Sequence, residues 1–125
     1  MNHGAIPVRR LSFPSMALGA LLLGLAGCHS AFISATLSNH TSQPVRLLEL
    51  DYPSASFGTN ELAPGATFKY RFKVLGSGAT RLSWTDAHEQ EHTSAGPSLH
   101  EGQEGTLAVT IEQGGTAVWN PTLRH

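Results

Sequence analysis

Beyond residue 32, apolar and polar side chains alternate in short runs separated by turn-forming clusters, and no segment sustains a helical spacing over three turns. Ile33, Ala35 and Leu37 alternate with Ser34, Thr36 and Ser38, the period-two pattern of a strand with one buried face. Asn39-His40-Thr41-Ser42-Gln43-Pro44 then supplies turn chemistry. The next run is apolar at Val45, Leu47, Leu48, Leu50 and Tyr52, so its alternation breaks once and predicts a bulge or burial on both faces. Residues 52–65 contain Pro53, Gly58 and Pro64-Gly65 and read as a long connection, with Phe57 and Leu62 plugging one end of the core. The sharpest alternation follows, with Phe68, Tyr70, Phe72 and Val74 on one face of a central strand and Lys69, Arg71 and Lys73 on the other. After the turn at Gly76-Ser77-Gly78, Leu82 and Trp84 alternate with Arg81, Ser83 and Thr85. A short run over residues 92–95 precedes Gly96-Pro97, Leu107, Val109 and Ile111 predict a further half-buried strand, and residues 117–119 end the pattern before Pro121.

These runs predict an all-β fold, an antiparallel sandwich of about seven strands. The segment Leu62-Ala63-Pro64-Gly65, followed by an alternating aromatic strand, is similar to small immunoglobulin-like and fibronectin-like modules of exported bacterial proteins. That resemblance implies an immunoglobulin-like sandwich and says nothing of chemistry, because this architecture carries many unrelated functions.

The N-terminal segment has a different character. Arg9 and Arg10, unaccompanied by acids, precede the apolar run of residues 16–27. A basic region leading into an apolar one is the pattern of an export signal. Twelve residues rise only about 18 Å as a helix, short of a hydrocarbon core of about 30 Å, which disfavours a permanent membrane span. The run closes on Leu25-Ala26-Gly27-Cys28, which resembles the lipobox of bacterial type II signal peptides. The resemblance implies cleavage before Cys28, a diacylglyceryl group on its sulfur and a further acyl chain, such as palmitate, on the new amino terminus. Several chains together suffice for stable anchoring. The implied organisation is a signal over residues 1–27, a lipidated tether over 28–30, a sandwich over 31–120 and a tail over 121–125. In related lipoproteins of some Gram-negative bacteria an aspartate after the cysteine favours the inner membrane; His29 in that place points to the outer membrane, facing the periplasm.

Composition narrows the function. Cys28 is the single cysteine, so no intramolecular disulfide is available. Beyond it, six basic residues face nine acids, a formal charge of −3, which lacks the basic footprint of a nucleic-acid-binding domain. No G-x-S-x-G elbow and no phosphate-cradling glycine loop occurs. Asn39-His40-Thr41 fits the N-glycosylation pattern and, in a bacterium, reads as an ordinary turn.

His88-Glu89-Gln90-Glu91-His92 satisfies both H-E-x-x-H and H-x-x-E-H, in which two histidines one helical turn apart bind zinc. That chemistry needs a continuous helix. Trp84-Thr85 before and Gly96-Pro97 after confine any helix to two or three turns, and a capping box of Asp86 with Glu89 is compatible with a single helical turn. In an extended segment, residues four apart stand about 13 Å apart. A polar hairpin loop is therefore expected, with His88 and His92 kept as metal candidates. His29, His40, His100 and His125 read as solvated. Lys69, Arg71 and Lys73 form a basic stripe that pairs with acids such as Glu112 or meets an acidic partner or lipid headgroups.

The expectation is a non-enzymatic, membrane-anchored accessory or binding module of the cell envelope, without a cofactor and with an envelope protein as partner. A sheet edge or the 52–65 connection serves as its contact surface. The rival reading is a metal-binding protein or metal-dependent hydrolase built on His88 and His92.

Overall fold

The computed structural model describes residues 30–125, within which Ala31–His125 forms one compact unit. Residues 1–29, which include the expected signal, Cys28 and His29, lie outside the described residues. Eight strands make up the unit: β1 (Ile33–Asn39), β2 (Val45–Tyr52), β3 (Ala55–Leu62), β4 (Thr67–Phe72), β5 (Gly78–Thr85), β6 (Glu91–Leu99), β7 (Glu104–Glu112) and β8 (Thr116–Arg124). They form two four-stranded sheets, ordered β4-β1-β7-β8 and β3-β2-β5-β6. The described residues contain no helix. The all-β sandwich is thus as expected, with one more strand than the sequence pattern suggested.

Pairing is antiparallel except between β1 and β7, which run parallel with Ile33 opposite Gly105 and Leu37 opposite Val109. The inward rows follow the predicted alternation. Ile33, Ala35 and Leu37 on β1 and Leu107, Val109 and Ile111 on β7 are fully buried. They meet Leu48 and Leu50 on β2 and Leu82 and Trp84 on β5, all in one core cluster. Burying a side chain of this size contributes about 1.5–3 kcal/mol, so this two-sided layer carries the stability of a domain without disulfides.

The broken alternation in β2 is a bulge. Pairing with β5 shifts between Arg46 and Glu49, and Leu47 takes a positive φ of 51° with its side chain turned out. The extra residue returns Leu48 and Leu50 to the inner face.

Four expectations need correction. Residues 52–65 are not a long connection: Pro53-Ser54 is a tight turn, and β3 pairs back along β2, with Phe57 opposite Leu50 and Leu62 opposite Val45. Phe57 and Leu62 are buried, as core residues of an edge strand. Second, the aromatic strand β4 is an edge rather than a centre. Its rings close the open side between the sheets, where Phe57 stacks on Tyr70 with ring centroids 4.4 Å apart and Tyr52 meets Phe72 at the same separation. Third, the run near His92 extends through Gly96-Pro97 to Leu99, with a register shift between Ala79 and Arg81 of β5 absorbing the irregularity. Fourth, residues 121–124 are the end of β8, not a tail, and Pro121 is tolerated because β8 is an edge strand.

The opposite open side is closed by Trp119. Its indole Nε1 donates to Ser94 Oγ at 2.9 Å, and its ring lies over Gly96, where any side chain would collide with it.

Candidate functional site

Strand direction gathers the β1–β2 loop, the β3–β4 turn, the β5–β6 turn and the β7–β8 turn at one end of the sandwich. Three of these form a cleft of about 490 Å³, lined by Thr41, Gln43, Trp84, Asp86, His92 and Gly115 among others. The β3–β4 turn braces it from beside.

Asn39 builds the first wall. It is fully buried at the end of β1, and all its polar capacity is used. Its Nδ2 donates to the carbonyls of Gln43 at 2.9 Å and Leu62 at 3.0 Å, while Oδ1 accepts from the Thr41 amide and hydroxyl at 2.9 and 2.7 Å. Its own amide donates to the Ala66 carbonyl, and its carbonyl accepts from the Gly65 amide. One residue therefore ties the β1–β2 loop to the end of β3 through its side chain and to the following turn through its backbone. Both Nδ2 protons are committed, so this asparagine is a structural bracket rather than a glycan acceptor.

The second wall is the β5–β6 turn, residues 86–90, which is the polar hairpin loop expected for the His88–His92 segment. Asp86 organises it as an Asx turn: Oδ1 accepts from the amides of His88 at 2.8 Å and Gln90 at 3.1 Å. The Glu89 amide donates to the Asp86 carbonyl, the Asp86 amide donates to the Gln90 carbonyl, and Glu89 takes a φ of 62° to close the reversal. The alternative of a helical turn opened by a capping box does not occur: no helix follows Asp86, and the Glu89 carboxylate instead reaches across to Arg46, 2.6 Å away.

His92 points inward from β6, opposite Trp84 in register. Its ring stacks on the Trp84 indole at 5.4 Å between centroids, and its Nε2 lies 2.7 Å from Asp86 Oδ2. The other ring edge abuts Gly115, where a Cβ would fall 2.5 Å from His92 Cε1. Gly115 also has a φ of 82°, so the β7–β8 turn needs glycine there on both counts. The hydrogen bond from His92, with those from the Gln90 and His88 amides, lowers the Asp86 pKa to about 2.

The two histidines of the H-E-x-x-H pattern are thus separated in role. His88 is exposed on the turn, and His92 is held between Trp84 and Gly115 with Nε2 engaged by Asp86. No helix presents them on one face. Among the described residues, no group of three or more histidine, cysteine, aspartate or glutamate side chains is arranged to hold a metal ion.

The basic stripe is placed differently from the expected pairing. Lys69, Arg71 and Lys73 are exposed along and just beyond β4, and none makes an ion pair with another described residue. Strand β1 lies between β4 and β7, so Glu112 faces His40 instead, at 3.8 Å. Arg71 sits over the Phe32 ring, 4.1 Å from its centroid. His40, His100 and His125 are exposed.

Sequence reasoning missed the Asp86–His92 pair and the buried Asn39. The local signals were present: an aspartate opening a short polar loop marks an Asx turn, and an asparagine at the end of an alternating strand marks its stop.

No family model matches the chain, and no curated protein matches it. Among solved structures, it is similar to the NMR structure of a protein from Eubacterium rectale, with a TM-score of 0.52 and 10 % identity over 71 % of this chain and 86 % of that one. At that identity the likeness is one of fold.

Proposed function

We propose that this protein is an exported lipoprotein, held in the cell envelope through Cys28, whose sandwich acts as a non-enzymatic binding module with the loop-end cleft as its contact site. The observation that carries the binding reading is the cleft itself. Its walls are locked by Asn39, by the Asp86 turn and by His92 against Gly115, so little ordering cost remains for an incoming group. Its lining mixes the Trp84 indole with polar side chains and loop backbone, which suits a polar segment of another envelope protein. The anchoring reading rests on the lipobox resemblance at residues 25–28 and the basic and apolar regions before it.

The metal-dependent hydrolase reading draws no support from the geometry of His88 and His92. Placement at the outer membrane, facing the periplasm, rests on His29 alone.

Two measurements test the proposal. Labelled palmitate should enter the parent protein and not a Cys28→Ser variant; equal labelling of the two removes the anchor. A photo-crosslinking residue at Ala87, on the cleft rim, should give a discrete adduct in intact cells, while the same residue at Thr122 on β8 should give none. Indistinguishable patterns from the two positions remove the cleft as the contact site.

A further inference from the structure

We infer that the end of the sandwich opposite the cleft is a lipid-facing surface, on which Arg71, Lys73 and Leu75 meet anionic headgroups and point the cleft away from the membrane. The inference rests on the anchored reading proposed above and adds an orientation to it.

Charge is distributed unevenly along the strand axis. At the cleft end stand Glu61, Asp86, Glu89, Glu91 and Glu112, with Arg46 as the counterbalancing cation. At the other end the chain enters at Phe32, beside Arg71, and the β4–β5 connection presents Lys73 and Leu75. Leu75 is 59 % exposed, one of the largest outlays of apolar surface on the domain. The connection is held in place, since the Leu75 amide donates to Ser54 Oγ at 3.4 Å and the Gly76 amide to Glu101 at 2.7 Å. The acids at this end are already engaged: Glu101 by that amide, Glu104 by Arg124 at 3.5 Å and Asp51 by Arg81 at 3.4 Å. His100 and His125 also stand at this end, their rings 6.1 Å apart, as does Tyr52. Lys73 and Arg71 are thus the cations at this end that have no carboxylate partner among the described residues, with Lys69 likewise unpaired farther along β4.

Chain length brings this end to the bilayer. Ala31 and Phe32 are half-buried, and Phe32 is clamped under Arg71. Four residue steps separate Cys28 from Phe32, at most about 14 Å of extended chain. A lipid on Cys28 therefore keeps Arg71 and Lys73 close to the headgroups, where each basic side chain near an anionic surface favours contact about fivefold. An exposed leucine flanked by cations is the composition of an interfacial contact, with the apolar group at the acyl boundary and the charges at the phosphates.

Lys69 and Lys73 are the only lysines in the chain, which makes the test simple. The mature chain, residues 28–125, is coupled through Cys28 to a maleimide lipid in vesicles. This sets the anchor chemically, whether or not cells acylate the cysteine. Amine-reactive labelling, read by mass spectrometry, should show Lys73 protected at least threefold in vesicles containing phosphatidylglycerol relative to phosphatidylcholine alone. Protection should fall in 0.5 M salt and in a Leu75→Ser variant, and should be smaller at Lys69, farther up β4. Equal Lys73 labelling on the two vesicle types, or protection unaffected by salt, would overturn the inference. Failure of palmitate labelling in cells, by contrast, removes the anchor and leaves the vesicle result standing.

Discussion

His92 Nε2 and Asp86 Oδ2 stand 2.7 Å apart, joining the first residue of the β5–β6 turn to the strand that leaves it. The aspartate's other oxygen holds the His88 and Gln90 amides, so one carboxylate sets both the turn and the ring that lines the cleft.

That arrangement predicts an acid limb to stability. The folded Asp86 pKa is about 2 against an ordinary 3.8, so its ionised form is favoured by folding. Its contribution is complete above pH 3.8 and is lost as the pH falls through the window down to about 2. Thermal melts between pH 2 and 6 should show the parent losing Tm across that window and an Asp86→Asn variant losing less. Parallel curves for the two proteins would show that the carboxylate makes no such contribution.

Asn39 predicts a large local cost. Asn39→Ala leaves the Leu62 and Gln43 carbonyls without the Nδ2 donor in a buried setting, a loss of about 2–4 kcal/mol. Asn39→Asp keeps the shape but turns an acceptor toward both carbonyls, so it should be at least as damaging at neutral pH and partly recover in acid. Urea unfolding at pH 7 and pH 4 separates the two variants.

Glu89 predicts a near cancellation. A non-glycine residue at its φ of 62° is strained by about 1–2 kcal/mol, whereas its exposed ion pair with Arg46 contributes about 0.2–1 kcal/mol. Glycine's greater backbone entropy, about 0.5–1 kcal/mol, offsets part of the relieved strain, so Glu89→Gly should leave stability unchanged or raise it by up to about 1 kcal/mol, more clearly at high salt. Glu89→Val should lower it. Chemical denaturation of the two variants decides the sign.

Gly96 predicts a spectroscopic change. An added methyl group would meet both the Trp119 ring, at 2.5 Å, and the buried Thr80 Oγ1, so Gly96→Ala should displace the indole from its place on β6, break its bond to Ser94 and press on Thr80. A red shift in tryptophan emission should follow, because Trp84 stays buried and Trp119 moves into water. The expected destabilisation is about 1–3 kcal/mol. An unshifted spectrum would mean the open side is not sealed by this contact.

Much of the architecture was readable from the alternation of side chains, and the misreadings have one cause. Phe68, Tyr70 and Phe72 alternate as sharply as any core strand, yet they line an edge, because period two reports only that one face is covered and not how many neighbours a strand has. Strand β3 escaped notice because only Phe57 and Leu62 turn fully inward along its eight residues, and Gly58 and Asn60 between them resemble loop chemistry. The cleft was less legible still. His92 and Gly115 are 23 positions apart and meet only because the β5–β6 and β7–β8 hairpins end on the same side of the sandwich.

The sequence by itself determined the all-β class and which side chains of β1, β5 and β7 turn inward, because backbone geometry makes alternate residues face opposite ways wherever a strand forms. Tertiary structure alone decided the parallel pairing of β1 with β7, the edge positions of β3 and β4, and the meeting of Asp86, His92 and Gly115. Those depend on which distant segments find each other, and the free energy of that choice lies in the shared core and in cross-strand contacts, not in any single run of residues.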